Sequence, residues 1–112
     1  IHFIPWRGNF TRGILASVYT PFSGTLVEAK KIYTDFYKNH PFVHFVDKDL
    51  DLKQVVNTNK CLLQIELHNG QIYIQSAIDN LLKGASGQAV QNMNIIFGLE
   101  ENTGLKLKTV AY

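Results

Sequence analysis

With 112 residues, 46% of them hydrophobic, the chain has the length of one domain and the apolar content of a folded core, at a size where a partner surface adds stability. A net charge of +2, with Lys30, Lys31, Lys38, Lys106 and Lys108 scattered, argues against nucleic acid or an anionic membrane as partner. The single cysteine, Cys61, excludes an internal disulfide and points to a cytoplasmic setting, and no apolar run reaches the roughly 18 residues of a transmembrane helix.

In chain order, Ile1 to Pro5 reads as a short strand. The opening Ile1-His2-Phe3-Ile4 lacks an initiator Met and carries no secretory pattern, which suggests a segment cut from inside a larger protein. Gly13 to Tyr19, apolar and partly β-branched, reads as a second strand, ended by Pro21, Ser23 and Gly24. Thr25 to Asn39 reads as a helix. Thr25-Leu26-Val27-Glu28 has the form of a capping box, and Ala29, Ile32, Tyr33 and Phe36 recur at helical spacing as an expected core stripe. Pro41 stops it. Val43 to Val46 reads as a strand, and Lys48 to Asn59 as a polar loop with a short irregular element.

The strongest local signal is Asn69-Gly70, the favoured pair for a tight hairpin turn, between Cys61–Leu67 and Gln71–Ile78. It sets a register: His68 opposite Gln71, Leu67 opposite Ile72, Ile65 opposite Ile74, Leu63 opposite Ser76 and Cys61 opposite Ile78. The side chains from the Leu67–Ile72 pair to the Cys61–Ile78 pair form the expected buried face, leaving Glu66, Tyr73, Gln64 and Gln75 on a wetter one. Asp79 or Asn80 then caps a helix running to about Phe97, with Ala85, Ala89, Met93 and Phe97 along one side and Gly98 as its stop. The fold class is α+β, a mainly antiparallel sheet with helices on one face.

The last helix opens with Gly84, Ala85, Ser86 and Gly87. Glycine costs up to about 1 kcal/mol per residue in a helix, so two in one turn imply a neighbour lying against the backbone. Two readings stand: close packing against another part of the protein, or a phosphate held at a helix N-terminus. The spacing Gly84-x-x-Gly87 matches neither nucleotide-loop fingerprint.

The run Ser76-Ala77-Ile78-Asp79-Asn80-Leu81-Leu82-Lys83-Gly84-Ala85-Ser86-Gly87-Gln88-Ala89-Val90-Gln91-Asn92-Met93-Asn94 resembles the C-terminal signature of N-acetyl-gamma-glutamyl-phosphate reductases. Thr11-Arg12-Gly13-Ile14-Leu15-Ala16, Phe36-Tyr37, Pro41-Phe42-Val43, Thr58-Asn59-x-Cys61, Phe97-Gly98-Leu99 and Thr103-Gly104-Leu105 keep the same order, so the resemblance covers about Phe3 to Leu105. Pro5-Trp6-Arg7-Gly8-Asn9 departs from the Pro-His-Leu-x-Pro of many members, so no role of that histidine passes to Trp6. The tail from Lys106 to Tyr112 matches nothing in the pattern.

The resemblance implies a fold like the C-terminal domain of glyceraldehyde-3-phosphate dehydrogenase-type reductases. It implies one substrate-binding and dimerisation domain over 1–112, with the nucleotide-binding domain, the catalytic Cys and the catalytic His outside this chain. It implies an NADP-dependent reduction of N-acetylglutamyl phosphate to the semialdehyde in arginine biosynthesis, in the cytoplasm. The expected partners are the rest of the same polypeptide and further copies of it in a homo-oligomer. Asn80, Lys83, Gly84, Gly87 and Gln88 are the expected cofactor neighbours, and Arg12 the expected substrate contact through bidentate hydrogen bonds to an anion. The competing reading of Arg12 is an ordinary ion pair. No residue of the chain is expected to be catalytic: Cys61 points to the buried face of the hairpin, and His2, His40, His44 and His68 lack metal-ligand spacing. The alternative function is a non-catalytic dimerisation or interaction module.

Overall fold

The computed structural model describes residues 2–108. Four strands form one sheet: β1 (Ile14–Pro21), β2 (Val43–Phe45), β3 (Cys61–His68) and β4 (Gln71–Ile78), in the order β1-β4-β3-β2. Two α-helices, α1 (Leu26–Tyr37) and α2 (Gly87–Ile96), join a 3₁₀ turn at Leu52–Gln54 and a π-helical turn at Leu82–Ser86. The architecture is the expected α+β one with a mainly antiparallel sheet; only the short β2–β3 pair is parallel.

The β3–β4 hairpin organises the rest. Asn69 and Gly70 both adopt positive φ, 49° and 73°, which a two-residue hairpin turn of this hand requires. All five pairs expected from that turn are formed, from His68 with Gln71 to Cys61 with Ile78. Because β1 is antiparallel to β4 and β2 is parallel to β3, β1 and β2 run the same way at opposite edges. A chain joining parallel strands has to cross the sheet, and α1 makes that crossing.

The helix starts where its sequence says it should. Thr25 Oγ1 accepts from the Glu28 N–H at 3.2 Å, and Glu28 Oε2 accepts from the Thr25 N–H at 2.7 Å. It packs on the hairpin through Leu26, Ala29 and Tyr33, which meet Ile65, Leu67, Ile72, Ile74 and Phe22. The stripe expected from periodicity is only half right: Ile32 and Phe36 are 57% and 69% exposed. The contact with the sheet falls on the Leu26–Ala29–Tyr33 side of the helix, where Ala29 is fully buried.

The opposite face of the hairpin is drier than expected. Leu62 and Ala77, paired across β3 and β4, are covered by Val55 with Val46, Leu50 and Leu52. The segment from Lys48 to Asn59 is therefore a lid over a second small core. Gln64 is buried beside it and donates through Nε2 to Glu66 Oε1 (3.0 Å), while Glu66, Tyr73 and Gln75 are half-buried, with Gln75 Nε2 donating to Tyr73 Oη (2.9 Å) and Tyr73 Oη to Ser17 Oγ (3.0 Å).

Two more expectations fail. His2 to Pro5 form no strand, and Ile1 lies outside the described residues. Phe3, Ile4 and Trp6 are exposed, and the segment does not pair with the free outer edge of β1, the next element in the chain. On α2 the expected inner side is the outer one. Ala85, Ala89, Met93 and Phe97 face away from the chain, whereas Gly87 and Asn94 are buried. Asn94 Nδ2 donates to the carbonyls of Glu101 and Thr103, so a polar residue holds the buried side by satisfying a returning loop. Gly98, at φ 66°, ends the helix as expected.

Candidate functional site

The residues singled out from the sequence converge on one place, the end of β4 where it enters the π-helical turn. Asp79 lies there with its side chain fully buried. Its Oδ1 accepts from the N–H groups of Leu81 (2.8 Å) and Leu82 (2.9 Å), and its Oδ2 from the N–H of Asn57 (2.8 Å) and from Arg12 Nη1 (3.2 Å). Burial pushes its carboxyl up, but the backbone donors of Asn57, Leu82 and Leu81, followed by the Arg12 charge, outweigh burial and hold it below the ordinary carboxylate value. The expected cap of the last helix by Asp79 or Asn80 is not formed as such: the N-cap positions are Leu81 for the π-helical turn and Ser86 for α2. Asp79 instead holds the Leu81 and Leu82 N–H groups at the entry to the π-helical turn while also meeting Asn57 and Arg12.

Arg12 sits just before β1, its side chain 32% exposed. Nη1 donates to Asn57 Oδ1 at 2.6 Å as well as to Asp79. Its backbone is fixed by the next residue: the Gly13 N–H donates to Asn80 Oδ1 at 2.7 Å. Gly13 has φ 116°, a region open to glycine, and a Cβ there would stand 2.8 Å from Leu52 Cδ2. Asp79 and Asn80, consecutive in sequence, therefore grip Arg12 and Gly13 at guanidinium and backbone respectively.

The remaining candidates lie on the adjoining turn. Lys83 Nζ donates to Gln91 Oε1 at 2.6 Å and lies 5.3 Å above the Phe42 ring, a cation–π distance. Gly87 is buried, and a Cβ on it would overlap Asn59 Oδ1 and come within 2.8 Å of the Leu82 carbonyl oxygen. The neighbour that demands this glycine is Asn59 of the same chain, itself anchored through Nδ2 to the Leu105 carbonyl at 3.0 Å. Gly84 differs: it is exposed, and a Cβ would meet its nearest atoms at an ordinary 3.5–4.0 Å. Gln88 is exposed as well. The turn and the start of α2 present Gly84, Ala85 and Gln88 to solvent.

Cys61 lies on the hairpin face covered further along by α1, half-buried, its Sγ 3.5 Å from Ser76 Oγ. His68 Nε2 pairs with Glu66 Oε2 at 2.7 Å on the other face. Among the described residues no three His, Cys, Asp or Glu side chains gather as a metal site. Sequence reasoning missed Asn57, a half-buried residue in a stretch read as polar loop. The only sequence signal was that asparagine tolerates positive φ, and Asn57 does adopt φ 61°.

Residues 1–80 match the family described as "Semialdehyde dehydrogenase, dimerisation domain". The chain belongs to this family. Similarity to individual proteins extends past residue 80. The chain is 63% identical over 108 residues to "N-acetyl-gamma-glutamyl-phosphate reductase" of Christiangramia forsetii, which covers 96% of this chain and 34% of that protein. It is 55% identical over 112 residues to the protein of the same name from Bacteroides fragilis, covering 100% of this chain and 35% of the relative. With the namesake from Karelsulcia muelleri it shares 55% identity over 108 residues, 96% of this chain and 33% of the relative. The chain spans about a third of the length of the curated relatives it matches. As a dimerisation-domain family member it has the small mixed sheet and two helices described above.

Proposed function

We propose that the chain is the substrate-binding and dimerisation part of an NADP-dependent reductase that converts N-acetylglutamyl phosphate to N-acetylglutamate semialdehyde, in arginine biosynthesis in the cytoplasm. The observation that carries this reading is identity of 55–63% with reductases of that name across nearly the whole chain, including the Asp79–Gln88 turn. The nucleophilic Cys, the acid/base His and the nucleotide-binding domain then belong to the rest of the polypeptide.

NADPH would supply the hydride. The part of this chain is to bind and orient. Arg12 offers a guanidinium to the carboxylate or phosphate of the substrate. The Asn80–Gln88 turn offers a surface without bulk: the chain's own packing explains Gly87 through Asn59, but it leaves ordinary room for a Cβ at exposed Gly84, so a neighbour from outside the chain accounts for that glycine. Asn80, Lys83, Gly84, Gly87 and Gln88 are assigned to the cofactor side on this ground and on the resemblance, with Lys83 and Gly87 acting through the shape of the turn.

A second copy of the chain is the proposed partner in a homo-oligomer, as the family's description supports. The exposed apolar residues of β1, Ile14, Leu15, Val18 and Tyr19, fit a chain that buries more surface when assembled. The test is direct. The complete polypeptide, purified, is expected to consume NADPH only when given N-acetylglutamyl phosphate and to release phosphate in equal amount. Residues 1–112 alone are expected to turn over nothing. Consumption of NADPH by 1–112, or its absence in the complete protein, refutes the reading.

A further inference from the structure

Resting on the substrate-binding reading of Arg12, we propose that Asn57 and Asp79 are positioning residues for its guanidinium, committing Nη1 inward so that the other edge of the group meets the substrate anion. The geometry is asymmetric. The Asp79 carboxylate already accepts three backbone N–H groups at 2.8–2.9 Å, while its contact with Arg12 is the longest of the four at 3.2 Å. A buried carboxylate with three such donors does not need an arginine for its hydrogen bonding. Arg12, by contrast, has its shortest contact, 2.6 Å, with Asn57 Oδ1, an acceptor presented by a residue held at φ 61°. Both contacts use Nη1. Among the described residues Nε and Nη2 donate to none, and the side chain is one-third exposed. The Gly13–Asn80 bond fixes the backbone behind it. An arginine tethered at one nitrogen, with an uncommitted edge at the surface, is preorganised for a two-oxygen anion.

Asn57→Gly isolates the effect, because glycine accepts positive φ and loses only the side-chain acceptor. In the complete reductase it is expected to raise KM for the acyl phosphate about tenfold, as loss of one ordering hydrogen bond would. KM for NADPH and the melting temperature are expected to change little. Arg12→Ala is expected to raise the acyl-phosphate KM further, about 100-fold, as loss of a charged hydrogen bond would. Because Asn57 acts through Arg12, Asn57→Gly added to Arg12→Ala is expected to change KM no more. If Arg12→Ala raises KM but Asn57→Gly does not, or if the two effects multiply, the positioning role is wrong. If Arg12→Ala leaves KM unchanged, the substrate contact itself falls, and the positioning role with it. If the unaltered protein does not reduce the acyl phosphate, the functional reading beneath both has failed.

Discussion

Two glycines sit three residues apart in the same turn, and the structure assigns opposite signs to their replacement by alanine. At an ordinary helical position Gly→Ala stabilises by up to about 1 kcal/mol. Gly84 meets that condition, since its Cβ would find neighbours no closer than 3.5 Å. At Gly87 the new Cβ overlaps Asn59 Oδ1, and Asn59 is 3% exposed, with no room to retreat except by breaking its bond to the Leu105 carbonyl. Overpacking of this kind costs about 1–3 kcal/mol, and the lost hydrogen bond about 1 kcal/mol more. After the propensity gain is subtracted, Gly87→Ala should destabilise by about 1–3 kcal/mol. Urea unfolding of both variants measures this as a shift of midpoint at unchanged slope. Gly84→Ala should move the midpoint up or leave it, and Gly87→Ala should move it down. An Asn59→Ala change in the Gly87→Ala background should recover part of the loss, a coupling that two independent sites lack. A Gly87→Ala protein as stable as the parent, or more so, refutes the account of why that glycine is there.

Thr25→Ala removes the side-chain half of the capping box at the start of α1, the Oγ1 that accepts from the Glu28 N–H, while the backbone N–H of residue 25 can still donate to Glu28; it should cost about 1 kcal/mol in the same assay. Asp79 has a folded pKa below its unfolded value, so it contributes stability that is full above the unfolded value of about 3.9 and is lost as pH falls through the folded one. Asp79→Asn should therefore lower stability at neutral pH and flatten its acid limb; an unchanged acid limb on a pH series of unfolding curves contradicts this. Cys61, half-buried on the hairpin, should react slowly with a thiol reagent in the native protein and quickly in denaturant, and equal rates would mean that the strand register is wrong.

What the sequence disclosed was local. Asn69-Gly70 dictated a turn of known hand, and the pairing of every residue from Cys61 to Ile78 followed from it. Thr25 and Glu28 marked a helix start because the two side chains satisfy each other's free N–H groups. Two glycines announced a close approach at the last helix, but not that Asn59, 28 positions earlier, was the neighbour. Hydrophobic spacing misassigned the inner side of α2, because Asn94 earns its burial by bonding the Glu101 and Thr103 carbonyls, a partnership that exists only after the chain has turned back. Residues 48–59 carried no periodicity, so Val55 gave no sign of lying over Leu62 and Ala77. Arg12 carried two readings in the sequence, an anion contact or an ion pair; the structure shows an ion pair with Asp79, and neither that partner nor Asn57 was legible as a neighbour of Arg12, since they lie 67 and 45 residues away.

Those separations bear on the order in which the molecule assembles. The β3–β4 hairpin closes over two residues, and α1 is started by groups three apart, so both lie within reach of fast local events. The grip of Asp79 and Asn80 on Arg12 and Gly13 instead requires β1 to find β4 across the whole intervening chain. Arg12 thus acquires its fixed direction only when the last edge of the sheet has docked. A partly folded chain can carry the hairpin and the helix without holding the guanidinium in place, which makes the completeness of the sheet and the competence of the junction one and the same condition.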